Sequence, residues 1–170
     1  LNYTHPLTKD IKIETGYRGS YKKNDNDYRV DTLNYATNQY DIDLGSSNRF
    51  IYKEQIHALY GIYTQQIGSF GFSVGARGEE TIINGALTNT GQNFDRSYID
   101  FFPSASISQK FGLGSEIQLS YARRVNRPRL RQLNPFRTVS IIGGTNNFQE
   151  GNPNLNPEFT DAFELSYIHY

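Results

Sequence analysis

Long stretches of alternating apolar and polar side chains constrain this sequence more than any other feature. A period-2 alternation places successive side chains on opposite faces of an extended chain, so it predicts β-strands with one apolar face. Helical spacing is scarce, and the Tyr and Phe content also favours strands. Six segments carry the alternation and are each predicted to form a strand: 11–22, 53–67, 69–79, 98–110, 115–124 and 161–170.

The length of these segments separates two kinds of all-β protein. Strands of soluble proteins usually run about 5–6 residues. A strand that crosses a membrane needs about 9–11 residues at a tilt near 45°. The segments therefore favour an antiparallel transmembrane β-barrel segment, with apolar faces toward lipid and polar faces toward the lumen.

The connections between the segments alternate in length. Gly68-Ser69 and Gly112-Leu113-Gly114 are short and glycine-containing, as hairpin turns are. The other connections, at about 23–52, 81–97 and 126–159, are long. Outer-membrane barrels have short periplasmic turns and long extracellular loops, so we expect segment 11–22 to rise from the periplasm. A soluble all-β binding or adhesion module remains the alternative.

Composition removes several other classes. The chain has no Cys, which excludes disulfide scaffolds and Cys-based metal sites. Its 17 basic and 17 acidic side chains balance, whereas a nucleic-acid-binding protein usually carries a basic excess. No window of about 18 apolar residues predicts a transmembrane helix. The chain does not begin with Met, and we expect it to be a piece of a longer protein.

Motifs for catalysis and metal binding are weak. Gly71–Gly75 matches a Gly-x-Ser-x-Gly nucleophile elbow, but that motif needs a strand-to-helix turn and here falls inside a predicted strand. Its small residues Gly71, Ser73 and Gly75 share one face, which we interpret as a lumen stripe. The three His residues share no ligand spacing, and Asp25 and Asp27 lack the rest of an EF-hand. We therefore expect no catalytic residue, no metal and no cofactor.

A cluster of arginines follows the fifth predicted strand. Arg127, Arg129 and Arg131 are the candidate binding residues, because guanidinium groups match phosphate and carboxylate geometry. On the barrel interpretation these side chains lie at the extracellular end, where lipopolysaccharide phosphates or an anionic ligand would meet them. The alternative is that they form salt bridges inside a folded loop.

Several motifs, in order along nearly the whole chain, resemble a known family. The most specific stretch runs from Tyr121 to Phe136 and continues in 151–167, with weaker matches before it. The residues concerned are Asn24–Tyr28, Asn48–Gln55, Gly75–Glu79, Phe102-Pro103-Ser104, Ser120–Pro128, Leu133–Phe136 and Gly151–Glu158. Together they resemble the barrel of TonB-dependent outer-membrane receptors, especially the Bacteroidetes-type outer-membrane β-barrel family.

This resemblance implies a receptor in the bacterial outer membrane that binds a scarce nutrient at its extracellular loops and imports it. Such barrels have about 22 strands, so residues 1–170 would form part of one barrel domain. We expect neither a plug nor a TonB-contacting segment in this stretch, so contact with the TonB protein would be made elsewhere. The position of Tyr170, on the face opposite Leu165 and Tyr167, also suggests that the chain continues.

The expected partners are outer-membrane lipid, lipopolysaccharide and an unidentified ligand, with no nucleic acid. A non-importing outer-membrane barrel is the remaining alternative.

Overall fold

The computed structural model describes residues 1–112, 114–142 and 145–169. Leu113 in a predicted turn and Tyr170 at the predicted continuation lie outside this range. Within it, the helices and strands are β1 (Asn2–Pro6), β2 (Ile11–Tyr28), β3 (Asp31–Asn34), β4 (Gln39–Ile42), β5 (Asn48–Ile67), β6 (Phe70–Leu87), β7 (Asn93–Phe111), β8 (Ser115–Asn126), α1 (Leu130–Leu133), β9 (Thr138–Ile142), β10 (Thr145–Gln149) and β11 (Glu158–His169). In this described part of the chain, no helix has the length and apolar character needed to cross a bilayer.

Seven of the strands form one antiparallel sheet in the order β1-β2-β5-β6-β7-β8-β11. The hairpins β3–β4 and β9–β10 are separate two-stranded sheets within the connections. Extensive strand-to-strand contact occurs between hydrogen-bonded neighbours, and the described residues place no second sheet over the large one. The architecture is therefore a single-layer wall, and the sheet does not close on itself within this chain.

The strands are longer than a membrane crossing requires. β2 and β6 have 18 residues each, β7 has 19 and β5 has 20. About 9–11 tilted residues suffice to cross the hydrocarbon core. The remaining length therefore continues the wall beyond the bilayer.

One face of the wall is apolar and open. Ile99 is 79% exposed, Phe163 75% and Leu165 74%, although burying such side chains from water is strongly favourable. The strand registers place further exposed apolar side chains on the same face, among them Ile13, Tyr17, Leu59, Val74, Phe101, Ile107, Ile117, Leu119 and Tyr167. We call this the outer face. A soluble sandwich would cover it with a second sheet, whereas lipid covers it in a barrel.

The opposite face, which we call the inner face, is largely polar. The register aligns Arg18 with Ala58, Ala58 with Glu79, and Glu79 with Asp100. Below this row, Gly71, Ser73 and Gly75 of β6 stand opposite Ser108, Ser106 and Ser104 of β7. The predicted stripe of small residues therefore lies on the polar face and extends across two strands.

The structure corrects three sequence-based expectations about the strands. The first is their number, since β1 adds a seventh strand through pairs such as Tyr3 with Thr15. This segment is short and has no apolar alternation, so the period-2 pattern does not detect it. The second is the connection predicted at 81–97, which shrinks to residues 88–92 because β6 and β7 remain paired up to Ala86 and Asn93.

The third correction concerns the faces of β5. The sequence suggested Ile56, Ala58, Tyr60 and Ile62 as its apolar, lipid-facing side. The register places Ala58 beside Glu79 and Tyr60 beside Arg77, which puts this set on the inner face. Leu59, 67% exposed, instead faces outward. The alternation could not distinguish the two faces here, because Ile56 and Ile62 are apolar on the inner face while Leu59 is apolar on the outer face.

The two ends of the wall differ. At one end the connections are residues 7–10, 68–69 and 112–114, and Gly68 and Gly112 adopt positive φ angles of 58° and 49°. At the other end they span residues 29–47, 88–92 and 127–157. By the rule for outer-membrane barrels, the end with the longer connections is extracellular.

Candidate functional site at the inner wall

Two stretches of the connection between β8 and β11 fold onto the inner face. Leu133 of α1 is 2% exposed and lies in a buried apolar cluster with wall residues. The other buried members are Phe50, Tyr52, Ile83 and Leu87, and Leu130, Phe94, Tyr98 and Phe136 pack against them. Because the wall members occupy inner-face positions in β5, β6 and β7, this docked loop (residues 127–136 and 151–157 of the connection) covers the extracellular part of the inner wall.

The docked loop is held together by its own backbone. The Gly151 amide donates to the Asn134 carbonyl at 2.8 Å, and the Asn152 amide donates to the Gln132 carbonyl at 2.7 Å. At Gly151, a Cβ atom would lie 2.5 Å from the Asn134 carbonyl oxygen. This close approach requires glycine. At the other end of α1, the Gln132 side chain accepts from the Arg129 amide at 2.8 Å.

Arg96 of β7 clamps the returning half of the loop. Its guanidinium donates to the carbonyl oxygens of Pro153 and Leu155 and, at 2.7 Å, to the side-chain oxygen of Asn156. A guanidinium has its donors in one plane, so a single side chain can satisfy several acceptors of a turn. The loop is therefore fixed to the wall at both α1 and residues 153–156.

Arg127 joins the start of the loop to the centre of the wall. Its Nη2 atom donates to Glu79 Oε2 and, at 3.2 Å, to Thr81 Oγ1, and lies 4.0 Å from Asp100 Oδ2. Arg77 donates through Nε to the other Glu79 oxygen at 2.6 Å. The Glu79 side chain is only 8% exposed, so removing its cationic partners would leave a carboxylate poorly solvated.

Beside this network lies a groove of about 270 Å³ on the inner face. Its lining residues come from three strands and the loop: Arg18, Ser20, Ile56, Arg77, Glu79 and Arg127. Ala58, which stands between Arg18 and Glu79 in the strand register, is 1% exposed and contributes almost no side-chain volume. The groove itself is lined from β5 by Ile56, with charged side chains of β2 and β6 on either side of that strand.

The three arginines predicted as binding residues occupy different environments. Arg127 is held by Glu79 and Thr81 in the wall. Arg129 is exposed at the N-terminus of α1, and Arg131 is exposed with its guanidinium about 3 Å from the Gln149 side-chain amide. The structure does not bring them to one site. Contact with lipopolysaccharide or ligand stays a prediction for each of them.

Sequence reasoning did not identify Glu79, Arg18 or Arg96 as site residues. Arg77 and Glu79 share a face by alternation, and that signal was available in the sequence. The partnership of Glu79 with Arg127 was not, because 48 positions separate them and the loop must fold inward to join them.

The structure shows where the weak catalytic and metal-binding motifs of the sequence lie. Ser73 lies within β6, where its hydroxyl is 3.1 Å from that of Thr64 on the neighbouring strand. It is therefore not on a strand-to-helix turn. Among the residues the structure describes, no group of three or more His, Asp or Glu side chains is arranged to hold a metal ion. The expectations of no enzyme activity and no cofactor stay predictions.

An ion pair lies within the apolar surface of the outer face, between β8 and β11. Arg123 of β8 donates to both oxygens of Asp161 on β11, at 3.0 and 3.2 Å, and Tyr121 also donates to Asp161. The rings of Tyr121 and Phe163 lie 5.0 Å apart, and the Arg123 guanidinium stands over Phe159. Pairing in this way lowers the cost of placing two charges toward lipid.

A single layer of long antiparallel strands, apolar outside and charged inside, defines a β-barrel membrane protein. The entire chain, residues 1–170, matches the outer membrane protein beta-barrel family. The chain belongs to this family, and its location is the bacterial outer membrane. No curated protein and no solved structure matches the chain. The alternative of a soluble all-β module is therefore excluded by the open apolar face together with the family.

Proposed function

We propose that this chain is part of the barrel of a TonB-dependent receptor, which binds a nutrient on its extracellular side and imports it. The observation that carries the proposal is the docked loop, fixed to the inner wall by Leu133, Arg127 and Arg96. A loop folded into the barrel narrows the lumen and supplies side chains to a binding chamber. A barrel that serves only as a structural anchor has no need of one.

The open edges of the sheet support a larger barrel. In lipid every backbone polar group needs a partner, so β11 cannot present an unpaired edge of 12 residues to the hydrocarbon core. β1 and β11 run parallel to each other because five strands lie between them in an antiparallel sheet. Direct closure would therefore break the antiparallel pattern, and we infer that further strands complete the barrel. We place contact with the TonB protein, and the plug, in segments other than the wall described here.

The importing receptor is tested by growth on a limiting nutrient. A strain lacking the gene would be complemented with the full-length protein and offered siderophores, glycans, peptides or metal complexes as the only source. We expect one class to restore growth, and only when TonB is active. The same cells carrying an Arg96→Ala variant would report on the loop, because that change removes the clamp on residues 153–156.

If the protein is a barrel that does not import a nutrient through TonB, a different growth result is expected. Growth would then not depend on the protein for any nutrient, or would depend on it equally with and without TonB. Surface labelling would show in parallel that the protein is present in the outer membrane in both strains. Equal abundance with no nutrient dependence would overturn the import proposal while leaving the barrel fold intact.

A further inference from the structure

The groove of about 270 Å³ on the inner face contains hydrogen-bond donors that are not paired with an acceptor from its own lining residues. Arg77 contacts Glu79 through Nε, and its two terminal nitrogens make no hydrogen bond to another described residue. Arg18 is exposed and forms no ion pair within the described part of the chain. Both side chains line the same groove.

The charges around the groove do not balance. Arg18, Arg77 and Arg127 bring three positive charges, whereas Glu79 and the nearby Asp100 bring two negative ones. Glu79 is already occupied by Arg77 and Arg127 on its two oxygens. It is therefore not available to Arg18, although the two residues share one row of the inner face.

The shape of the groove fits a small group approached from two sides. Ile56 of β5 lines the groove between β2 and β6, and Arg18 of β2 and Arg77 of β6 line it from the two neighbouring strands. A volume of about 270 Å³ holds one oxyanion with its remaining water. Arginine forks favour such groups because two donors can meet two oxygens at once.

We propose that this groove binds an oxyanion, a phosphate or carboxylate group carried by the imported ligand, between Arg18 and Arg77. The inference rests on the proposed import function for the origin of the anion. Arg127 supports the site by holding Glu79 and thereby fixing the position of Arg77. The groove lies beside the docked loop, on the route of a ligand that passes from the extracellular end along the inner wall.

Inorganic phosphate is the probe for this site. The full-length protein would be purified from the outer membrane in detergent and titrated calorimetrically at low ionic strength, with sodium chloride of equal ionic strength as the blank. We expect saturable binding that is weakened about tenfold or more in Arg18→Gln, since one charge-assisted pair of hydrogen bonds is lost. Ser20→Leu should have a similar effect with no change of charge, because Ser20 is exposed and lines the groove, so that the larger side chain occupies its volume.

Lys22→Gln is the matched control. Lys22 lies on the same strand and the same inner face as Arg18 and is exposed, but it does not line the groove. We expect phosphate affinity within about twofold of the unmodified protein, the change left by long-range charge alone. Heat stability of each purified variant would show that the barrel is folded.

Two results would overturn the proposal. One is the absence of saturable phosphate binding to the unmodified protein, which would mean that another segment of the protein fills the groove or that the cations are merely solvated. The other is an equal loss in Arg18→Gln and Lys22→Gln, which would indicate a diffuse positive potential. Neither result bears on the growth assay, so TonB-dependent import would be judged separately.

Discussion

Replacing Leu133 with alanine should release the docked loop from the inner wall. Leu133 is 2% exposed and packs in the cluster with Phe50, Tyr52, Ile83 and Leu87. The change removes three buried carbon atoms at about 0.8 kcal/mol each, and the cavity left behind raises the loss to about 3 kcal/mol. Because Leu133 belongs to the loop, this loss falls mainly on docking and leaves the strand ladder in place.

The expected consequence is a large rise in the population of undocked loop. At 1.4 kcal/mol for each factor of ten, about 3 kcal/mol corresponds to roughly a hundredfold. Hydrogen–deuterium exchange of the full-length protein, followed by mass spectrometry of peptides covering 127–157, measures this directly. The Gly151 and Asn152 amides, which bond to the Asn134 and Gln132 carbonyls, should lose protection.

Leu155→Ala is the control for this experiment. Leu155 lies in the same loop but is 37% exposed and is not a member of the buried cluster. Its substitution should change exchange only slightly, as surface changes usually stay within about 0.5 kcal/mol. If Leu133→Ala left the exchange of peptides 127–157 as slow as in the unmodified protein, the cluster would not be what holds the loop.

Three further predictions concern the two faces and the loop. Leu165→Lys on the outer face should lower the stability of the barrel by about 2–4 kcal/mol if the residue lies near the bilayer midplane, and should reduce the amount of folded barrel in outer-membrane fractions. Ser166→Lys on the inner face should not reduce that amount. Equal yields of the two variants would contradict the assignment of faces. Gly151→Ala should increase susceptibility of the loop to protease, because the new Cβ meets the Asn134 carbonyl; unchanged cleavage would refute the close approach. The hydrogen bond from Arg49 lowers the pKa of Asp25, which lies in β2 beyond the apolar band. A lowered pKa in the folded state means that the stabilisation is present above about pH 4 and is lost as the pH falls further. Exchange of the β2 end, corrected for intrinsic rates, should therefore accelerate at low pH, and Arg49→Gln should remove that dependence.

The alternation of side chains was sufficient to predict the wall wherever one face meets lipid and the other meets water. In β7, Ile99, Phe101 and Ile107 are exposed on the outer face as the period-2 pattern requires. The pattern failed in β5 because both faces of this strand carry apolar side chains, with Ile56 and Ile62 on the inner face and Leu59 on the outer face. Where both faces of a strand are apolar, alternation cannot state which face is which.

The docked loop explains why the extracellular ends of β6 and β7 were predicted as a long connection. Ile82 and Ile83 are adjacent apolar residues, which interrupts a period-2 pattern. Ile83 packs in the cluster beneath α1, and Thr81, on the same face, is completely buried and accepts a hydrogen bond from Arg127. Both residues are buried by a segment that lies about 50 residues further along the chain and folds onto them, so their burial could not be predicted from the local sequence.

The balance of 17 basic and 17 acidic residues shows why the candidate site was not visible in the composition. A net charge of zero is a sum over the chain, whereas the field at a site depends on which charges share a face. On the inner wall Arg77 and Arg127 converge on Glu79, so two cations use one carboxylate. Arg18 is left in the same row with no acidic partner among the described residues. A neutral chain can therefore present a positive groove, and the register of the strands, not the count of charges, determines where it lies.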